Sequence, residues 1–233
     1  MTPAPAAVGR QYAGKSLADR RSAQHERILL AARDVFSTRG YAGTGVDEIV
    51  ARARVSRTTF YAFFENKEEC LLAVYRFGLE RFGAAIAEAA ARSADQGLAP
   101  PALIRAEVRA TLAAFAGDPA LARIVLIGTV GATPAAERAH ARARGVAAEI
   151  IQGRLEQYAY WRRRPVQHRR LASLAAMAAI GEPISDLVAT GRIGEWEALV
   201  DPISEFIGRA LIDPDDLAGR GERRGVTREP RLG

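Results

Sequence analysis

Four polar side chains in the last part of the N-terminal third could bind a polyanion. Arg57, Thr58, Thr59 and Tyr61 follow Ser56 within a span short enough for one helix. An arginine guanidinium can donate two parallel hydrogen bonds to a guanine edge or hold a phosphate. Threonine hydroxyls and a tyrosine phenol suit phosphate oxygens. Donors of this kind, grouped at the start of a helix, indicate nucleic-acid binding.

The elements around these residues have the proportions of a helix-turn-helix. Residues 46–64 read VDEIVARARVSRTTFYAFF, which predicts a short amphipathic helix, a tight turn and a second short helix. Thr44 with Asp47 three positions later is typical of a helix start, and Ser56 is a good N-cap for the second helix. Such a second helix can enter the major groove of DNA. A plain helical hairpin has the same spacing, so the pattern leaves both interpretations open.

The rest of the chain also has helical periodicity, and no alternating strand pattern is present. An amphipathic helix is predicted from Gln24 to a C-cap at Gly40, and a fourth helix runs from Lys67 towards Ala91. Pro and Gly punctuation divides the remainder into helices at about 101–116, 119–131, 135–160, 167–190 and 195–212. The sequence therefore predicts an all-α fold.

Composition excludes several classes of protein. Of the 233 residues, 48% are hydrophobic and 26% are charged, as in ordinary globular proteins. The single cysteine, Cys70, excludes a disulfide framework. No apolar run approaches roughly 18 residues, so we expect a cytoplasmic protein without a membrane partner. The sequence contains no metal-ligand set, phosphate-binding glycine loop or nucleophile–base pair, which predicts no catalytic residues, no metal and no cofactor.

The positive charge is concentrated at the ends of the chain. The net charge is +6, and residues 1–64 contribute ten Arg and Lys against five Asp and Glu. Residues 1–22 are interpreted as a flexible basic arm and residues 213–233 as a disordered tail. The arm is expected to add affinity for DNA without specificity, or else to be a solvated segment.

Residues 24–75 resemble the N-terminal domain of the tetracycline-repressor (TetR) family of transcriptional regulators. The resemblance is carried by Phe36, Gly40, Tyr41, Thr44, Val46, Ile49, Val55, Ser56, Phe60, Tyr61, Phe64, Lys67 and Glu68. It implies a three-helix helix-turn-helix DNA-binding domain at residues 23–67 and a helical ligand-binding and dimerisation domain at residues 68–212. The implied DNA contacts are Thr44, Ser56, Arg57, Thr58, Thr59, Tyr61 and Lys67.

Three positions depart from the pattern of the family. Arg54 stands in the turn where members usually carry Gly, at a site that often needs a positive φ. Thr58 stands where Gly, Ala or Pro is common, so its side chain could take part in readout. Phe63 replaces a frequent His or Tyr, which removes a polar contact with phosphate.

For the C-terminal helices, the resemblance implies an effector pocket and a dimer interface. The candidate pocket residues are Leu103, Val108, Thr111, Leu112, Phe115, Ile124, Ile127, Ile151, Leu155 and Tyr158; an ordinary core is the alternative. Their mostly apolar character favours a hydrophobic effector. The candidate interface residues, in a four-helix bundle across a two-fold axis, are Ile180, Ile184, Leu187, Trp196, Leu199, Ile203, Phe206 and Ile207.

The sequence is therefore interpreted as a homodimeric repressor that binds operator DNA and is released by a small hydrophobic effector. An activator of the same family stays open, and a helical carrier or enzyme is the alternative from another class. Gly78 and Gly83 in the fourth helix have two interpretations: close packing against a neighbour, or a hinge that lets this helix tilt when the pocket fills.

Overall fold

The computed structural model describes residues 17–156, 162 and 165–211. Within these residues the α-helices are α1 (Leu17–Arg39), α2 (Val46–Ala53), α3 (Arg57–Tyr61), α4 (Lys67–Asp95), α5 (Pro100–Ala116), α6 (Pro119–Arg123), α7 (Pro134–Leu155), α8 (Val166–Thr190) and α9 (Val200–Leu211). A π-helical segment, Ile124–Gly128, continues α6, and a 3₁₀ segment, Ile193–Leu199, precedes α9. No strand occurs in the described ranges, and the all-α prediction is confirmed.

Most helix boundaries follow the capping residues seen in the sequence. Gly40 ends α1 with a φ of +68°, the left-handed region that favours glycine. Ser56 caps α3, because its Oγ accepts a hydrogen bond of 3.0 Å from the backbone N–H of Thr59. The predicted cap at Thr44 is wrong: Gly45 is the N-cap of α2, and the Thr44 hydroxyl donates to the carbonyl oxygen of Gly40 at 2.6 Å.

Two helix starts differ by several residues from the prediction, and the helices predicted to end at about 131 and 160 end at Gly128 and Leu155. Helix α1 begins at Leu17, so residues 17–22 of the predicted arm are helical. The prediction of a flexible arm is therefore limited to residues 1–16. The helix predicted from residue 195 is 3₁₀ up to Leu199 and α-helical only from Val200. Residues 1–16 and the predicted tail at 213–233 lie outside the described residues.

The N-terminal core joins the helix-turn-helix to the rest of the protein. Ile28 of α1, Ile49 of α2 and Phe60 of α3 are completely buried together with Leu121 of α6, and Ile124 of the π segment is 1% exposed. Burial of these side chains supplies the main free energy that holds α1–α4 against α6. The helix-turn-helix therefore shares one continuous core with α6 and the π-helical segment.

A second core holds the C-terminal helices together. Leu112 of α5, Leu155 of α7, Ile184 of α8 and Val200 of α9 are buried in it. By length and apolar composition α8 could cross a membrane. Because Ile184 and its neighbours pack inside this core, part of that apolar surface is explained by packing within the subunit.

Candidate nucleic-acid interface

The first turn of α3 presents polar side chains to solvent. Ser56, Arg57, Thr58 and Tyr61 are exposed, whereas Phe60 is completely buried. Tyr61 is 47% exposed although it is large and aromatic. The alternation of outward donors and an inward phenylalanine follows from the helical period. The structure thus brings these four predicted contact residues onto one accessible surface.

Thr59 has a different environment from its neighbours. Its side chain is half-buried, and its hydroxyl lies 2.9 Å from the Ser56 hydroxyl. The two hydroxyls and the Thr59 backbone N–H form one cap at the start of α3. Thr59 therefore takes part in the cap at the N-terminal end of α3, in addition to the DNA contact predicted for it.

Arg57 is already held by two neighbours. Its Nη1 donates a hydrogen bond of 2.6 Å to Oδ1 of Asp47, and its Nη2 lies 3.4 Å from the hydroxyl of Tyr61. The side-chain hydrogen bonds with Tyr61 and Asp47 raise the pKa of the guanidinium. Arg57 is therefore a permanently charged donor that is oriented by a residue of α2 and a residue of α3.

The turn between α2 and α3 has a left-handed residue. Arg54 adopts φ 53° and ψ 49°, and its backbone N–H donates to the carbonyl oxygen of Ala51 at 3.2 Å. It is the one non-glycine residue with positive φ among those described. The expectation that this position needs a positive φ is confirmed, and the chain accommodates it with arginine.

Two residues predicted to contact DNA have partners inside the protein. Thr44 is 3% exposed, and its hydroxyl is already bonded to Gly40, so its side chain is not free for phosphate. The Lys67 ammonium donates to the carbonyl oxygens of Tyr41 (2.7 Å) and Thr44 (2.8 Å), and lies 4.2 Å from the centre of the Tyr41 ring. The prediction for the Thr44 side chain is corrected. Lys67 fastens the α1–α2 loop to the start of α4, and its contact with phosphate stays a prediction.

The Phe63 ring packs against α1 and is half-buried. Its ring centre lies 5.4 Å from that of His25, and the Arg21 guanidinium lies 5.3 Å from the same ring. An arginine over an aromatic face is a favourable cation–π geometry. The position where relatives place a polar ring therefore serves to attach α1 in this chain.

The sequence and the fold of the whole chain were compared with known proteins. The family described as "Bacterial regulatory proteins, tetR family" matches residues 28–74, which include the second half of α1, all of α2 and α3, and the start of α4. A TetR-like transcriptional regulator from Rhodococcus sp. RHA1 has 27% sequence identity with this chain and superposes with a TM-score of 0.62. The superposition covers 81% of this chain and 95% of the Rhodococcus chain. The N-terminal helices of this chain therefore match the TetR family.

Two further TetR-like proteins illustrate the range of relatives. The "HTH-type transcriptional activator FasR" of Mycolicibacterium smegmatis is 33% identical over 95 residues, which are 41% of this chain and 40% of FasR. The alignment thus spans less than half of that relative. The transcriptional regulator FadR from Bacillus subtilis, solved in complex with stearoyl-CoA, is 21% identical and covers 78% of this chain and 97% of its own with a TM-score of 0.66. This last likeness is one of fold.

The candidate pocket residues of this TetR-family chain are divided between its two cores. Val108, Leu112 and Leu155 are buried in the second core, and Ile124 is buried in the first. Phe115 packs against both cores, Ile127 against the first and Ile151 against the second; Leu103 and Thr111 are half-buried, and Tyr158 lies outside the described residues. The buried candidates therefore lie in two cores, which Phe115 joins.

The candidate interface residues separate into two groups. Ile184, Leu187, Ile203 and Ile207 are at most 8% exposed within one subunit, so their assignment to a dimer face is corrected to the subunit core. Phe206 is 58% exposed, and Ile180, Trp196 and Leu199 are half-buried. Helical period explains the division, because residues three or four apart on α9 lie on one inward face while Phe206 points outward.

A groove that the sequence did not suggest lies between α1 and α4. It encloses about 440 Å³ and is lined by aromatic side chains, Phe63, Phe64 and Phe77, with Glu26, Glu69 and Glu80 among its polar residues. Packing of two long amphipathic helices leaves it, and no sequence motif marks it. Among the described residues, no group of three His, Cys, Asp or Glu is placed to hold a metal ion.

Proposed function

We propose that this TetR-family protein is a homodimeric transcriptional repressor that binds operator DNA through α3. The observation that carries the proposal is the exposure of Ser56, Arg57, Thr58 and Tyr61 on one side of a helix whose other side, at Phe60, is fully buried. A rigid helix with outward donors suits the major groove. In a dimer, the two copies would have to sit about 34–36 Å apart to enter successive grooves.

The test of DNA binding is fluorescence anisotropy with a labelled duplex from just upstream of the gene. We expect tight, salt-sensitive binding to that duplex and weak binding to a scrambled duplex of the same composition. Arg57→Ala should cost roughly 1–3 kcal/mol on the first duplex and relax the preference at one base pair. Equal affinity for both duplexes would contradict the proposal.

The direction of regulation needs its own experiment, since the relative FasR bears the name of an activator. We propose repression, in which a dimer bound to an operator that overlaps the promoter would block transcription. A reporter driven by the upstream DNA should rise when the chromosomal gene is deleted and fall when it is restored. A fall on deletion would make the protein an activator.

We propose that the effector is a small hydrophobic molecule bound among α5, α7 and α8. The residues there are apolar, with Val108, Leu112 and Leu155 in a shared core. The solved complex of the Bacillus subtilis FadR with stearoyl-CoA makes a long-chain acyl thioester a natural first probe. Stearoyl-CoA should release the labelled operator at concentrations where coenzyme A does not, and release by neither would exclude stearoyl-CoA as the effector.

The dimer is proposed to form in the cytoplasm through the outward side of α8 and α9. Phe206 and Leu171 are 58% and 68% exposed, which is unusual for large apolar side chains. Phe206→Glu should convert the dimer to a monomer in light-scattering measurements. Val130→Glu, at a 61% exposed site in the turn before α7, is the matched control and should stay dimeric.

A further inference from the structure

Asp47 places a carboxylate beside the arginine that is expected to read DNA. Its Oδ1 lies 2.6 Å from Nη1 of Arg57, and the Asp47 side chain is 74% exposed. Carboxylates repel phosphates, so attraction to DNA does not explain this residue. We infer that Asp47 is a specificity-determining residue, which positions Arg57 for a guanine edge and disfavours phosphate contact by Arg57 on non-target DNA. The inference rests on the proposed DNA-binding function.

The positioning step follows from the geometry of the guanidinium. Asp47 engages Nη1, and the Tyr61 hydroxyl lies near Nη2, so the fork is restrained from two directions. The Nε–H and one N–H of Nη2 remain for a base, which is enough for a bidentate contact with O6 and N7 of guanine. An arginine that is oriented before binding loses less side-chain freedom when the complex forms.

The discrimination step follows from the charge of the two possible partners. A phosphate is anionic, so Arg57 can bind it only by leaving Asp47 or by holding two anions close together. The guanine edge offers neutral acceptors, so Asp47 can keep its hydrogen bond to Arg57 while the base is read. Asp47 therefore acts mainly against the phosphate contacts that dominate binding to arbitrary sequences.

The experiment compares a target duplex with a scrambled one. The target is selected by the full-length parent protein from random 30-base-pair duplexes, and the scrambled duplex has the same composition. For Asp47→Asn we expect affinity for the scrambled duplex to rise about three- to tenfold, with a steeper salt dependence, while affinity for the target changes little. The ratio of the two affinities should fall by the same factor.

Two comparisons isolate the role of Asp47. Glu65→Gln removes the same charge from the exposed loop before α4, and should change both affinities equally. In an Arg57→Ala background, Asp47→Asn should leave the ratio of affinities unchanged, because its action passes through Arg57. Thermal unfolding should be the same in all variants, since Asp47 and Arg57 are exposed.

Two outcomes would contradict the inference about Asp47, and a third would contradict the proposed DNA-binding function. If Asp47→Asn changes both affinities by one factor, the carboxylate is only part of the general surface charge. If it still lowers the ratio without Arg57, Asp47 contacts DNA itself and does not position the arginine. If the parent protein enriches no sequence from the random duplexes, the proposed function fails, and this result is distinct from the first two.

Discussion

Arg33 and Asp118 form an ion pair across the boundary between the DNA-binding helices and the C-terminal domain. Nη1 of Arg33, on α1, lies 2.9 Å from Oδ2 of Asp118, at the start of α6, and the two side chains are 23% and 12% exposed. Arg33 also binds Asp34, which accepts hydrogen bonds from Arg52 of α2. A continuous chain of charged groups therefore connects α6 to the helix-turn-helix.

Substitutions of Asp118 should separate its two roles. Its Oδ1 caps α6 by accepting from the Leu121 N–H at 3.1 Å, while its Oδ2 pairs with Arg33. Asp118→Asn keeps a capping oxygen and should lower the free energy of unfolding by about 1 kcal/mol; Asp118→Ala loses both contacts and should cost about 2 kcal/mol. Urea unfolding at one protein concentration measures the difference. Equal losses would mean that the cap contributes nothing.

Acid should weaken the same chain of ion pairs at Asp34. Burial opposes ionisation, but hydrogen bonds from Arg52 and Arg33 outweigh it, so the pKa of Asp34 lies below its ordinary value. A lowered folded-state pKa contributes stability above the unfolded pKa of about 3.9, and this is lost as pH falls through the folded value. Thermal unfolding from pH 7 to pH 2 should show Asp34→Asn less stable than the parent at pH 7. The gap should close near pH 2; a constant gap would contradict this assignment.

Gly78 and Gly83 of α4 should respond in opposite directions to substitution by alanine. A Cβ at Gly78 would lie 2.6 Å from Cγ2 of Val125 and 3.1 Å from Cδ1 of Leu121, which supports the close-packing interpretation there. Nothing lies within 4 Å of a Cβ at Gly83. Gly78→Ala should cost about 1–3 kcal/mol of stability, whereas Gly83→Ala should add about 1 kcal/mol.

The hinge interpretation now depends on Gly83. If Gly83→Ala binds the operator normally but resists release by effector, α4 bends there. If release is unchanged while thermal stability rises, Gly83 only lowers the stability of α4 and is not a hinge.

Arg54→Gly should stabilise the helix-turn-helix. Arg54 has φ 53°, where a side chain costs roughly 1 kcal/mol that glycine avoids. We expect a gain of about 0.5–1 kcal/mol, because glycine also loses more freedom on folding. Ala51→Gly, at an exposed site within α2, is the control and should be destabilising by a similar amount. A loss of stability for both variants would show that the turn does not strain arginine.

Local signals in the sequence predicted much of the fold. Gly40, Ser56 and Pro119 mark helix ends because their preferences act through the neighbouring backbone. The outward side of α3 followed from the helical period, with Phe60 and Phe64 in the core as expected. These features depend on a few adjacent residues, and a single sequence contains that information.

Contacts between distant residues could not be predicted in the same way. Lys67 meets the carbonyl oxygens of Tyr41 and Thr44 across 26 and 23 positions. Its charge suggested phosphate, and nothing in the sequence indicated these two partners inside the protein. Likewise, Ile184 and Ile203 have the hydrophobicity of interface residues, and only the packing of α8 on α9 shows that they are buried within one subunit.

At the π-helical segment Ile124–Gly128, the number of residues determines which side chains face the interior. Hydrogen bonds from i to i+5 accommodate one residue more than an α-helical turn, as an insertion into α6 would. Each residue rotates a helix by about 100°, so the extra one determines that Thr129, which is fully buried, faces inward. In a relative that is one residue shorter here, a different side chain would take that place. Insertions and deletions in this segment can thus change which side chains line the interior, as substitutions do.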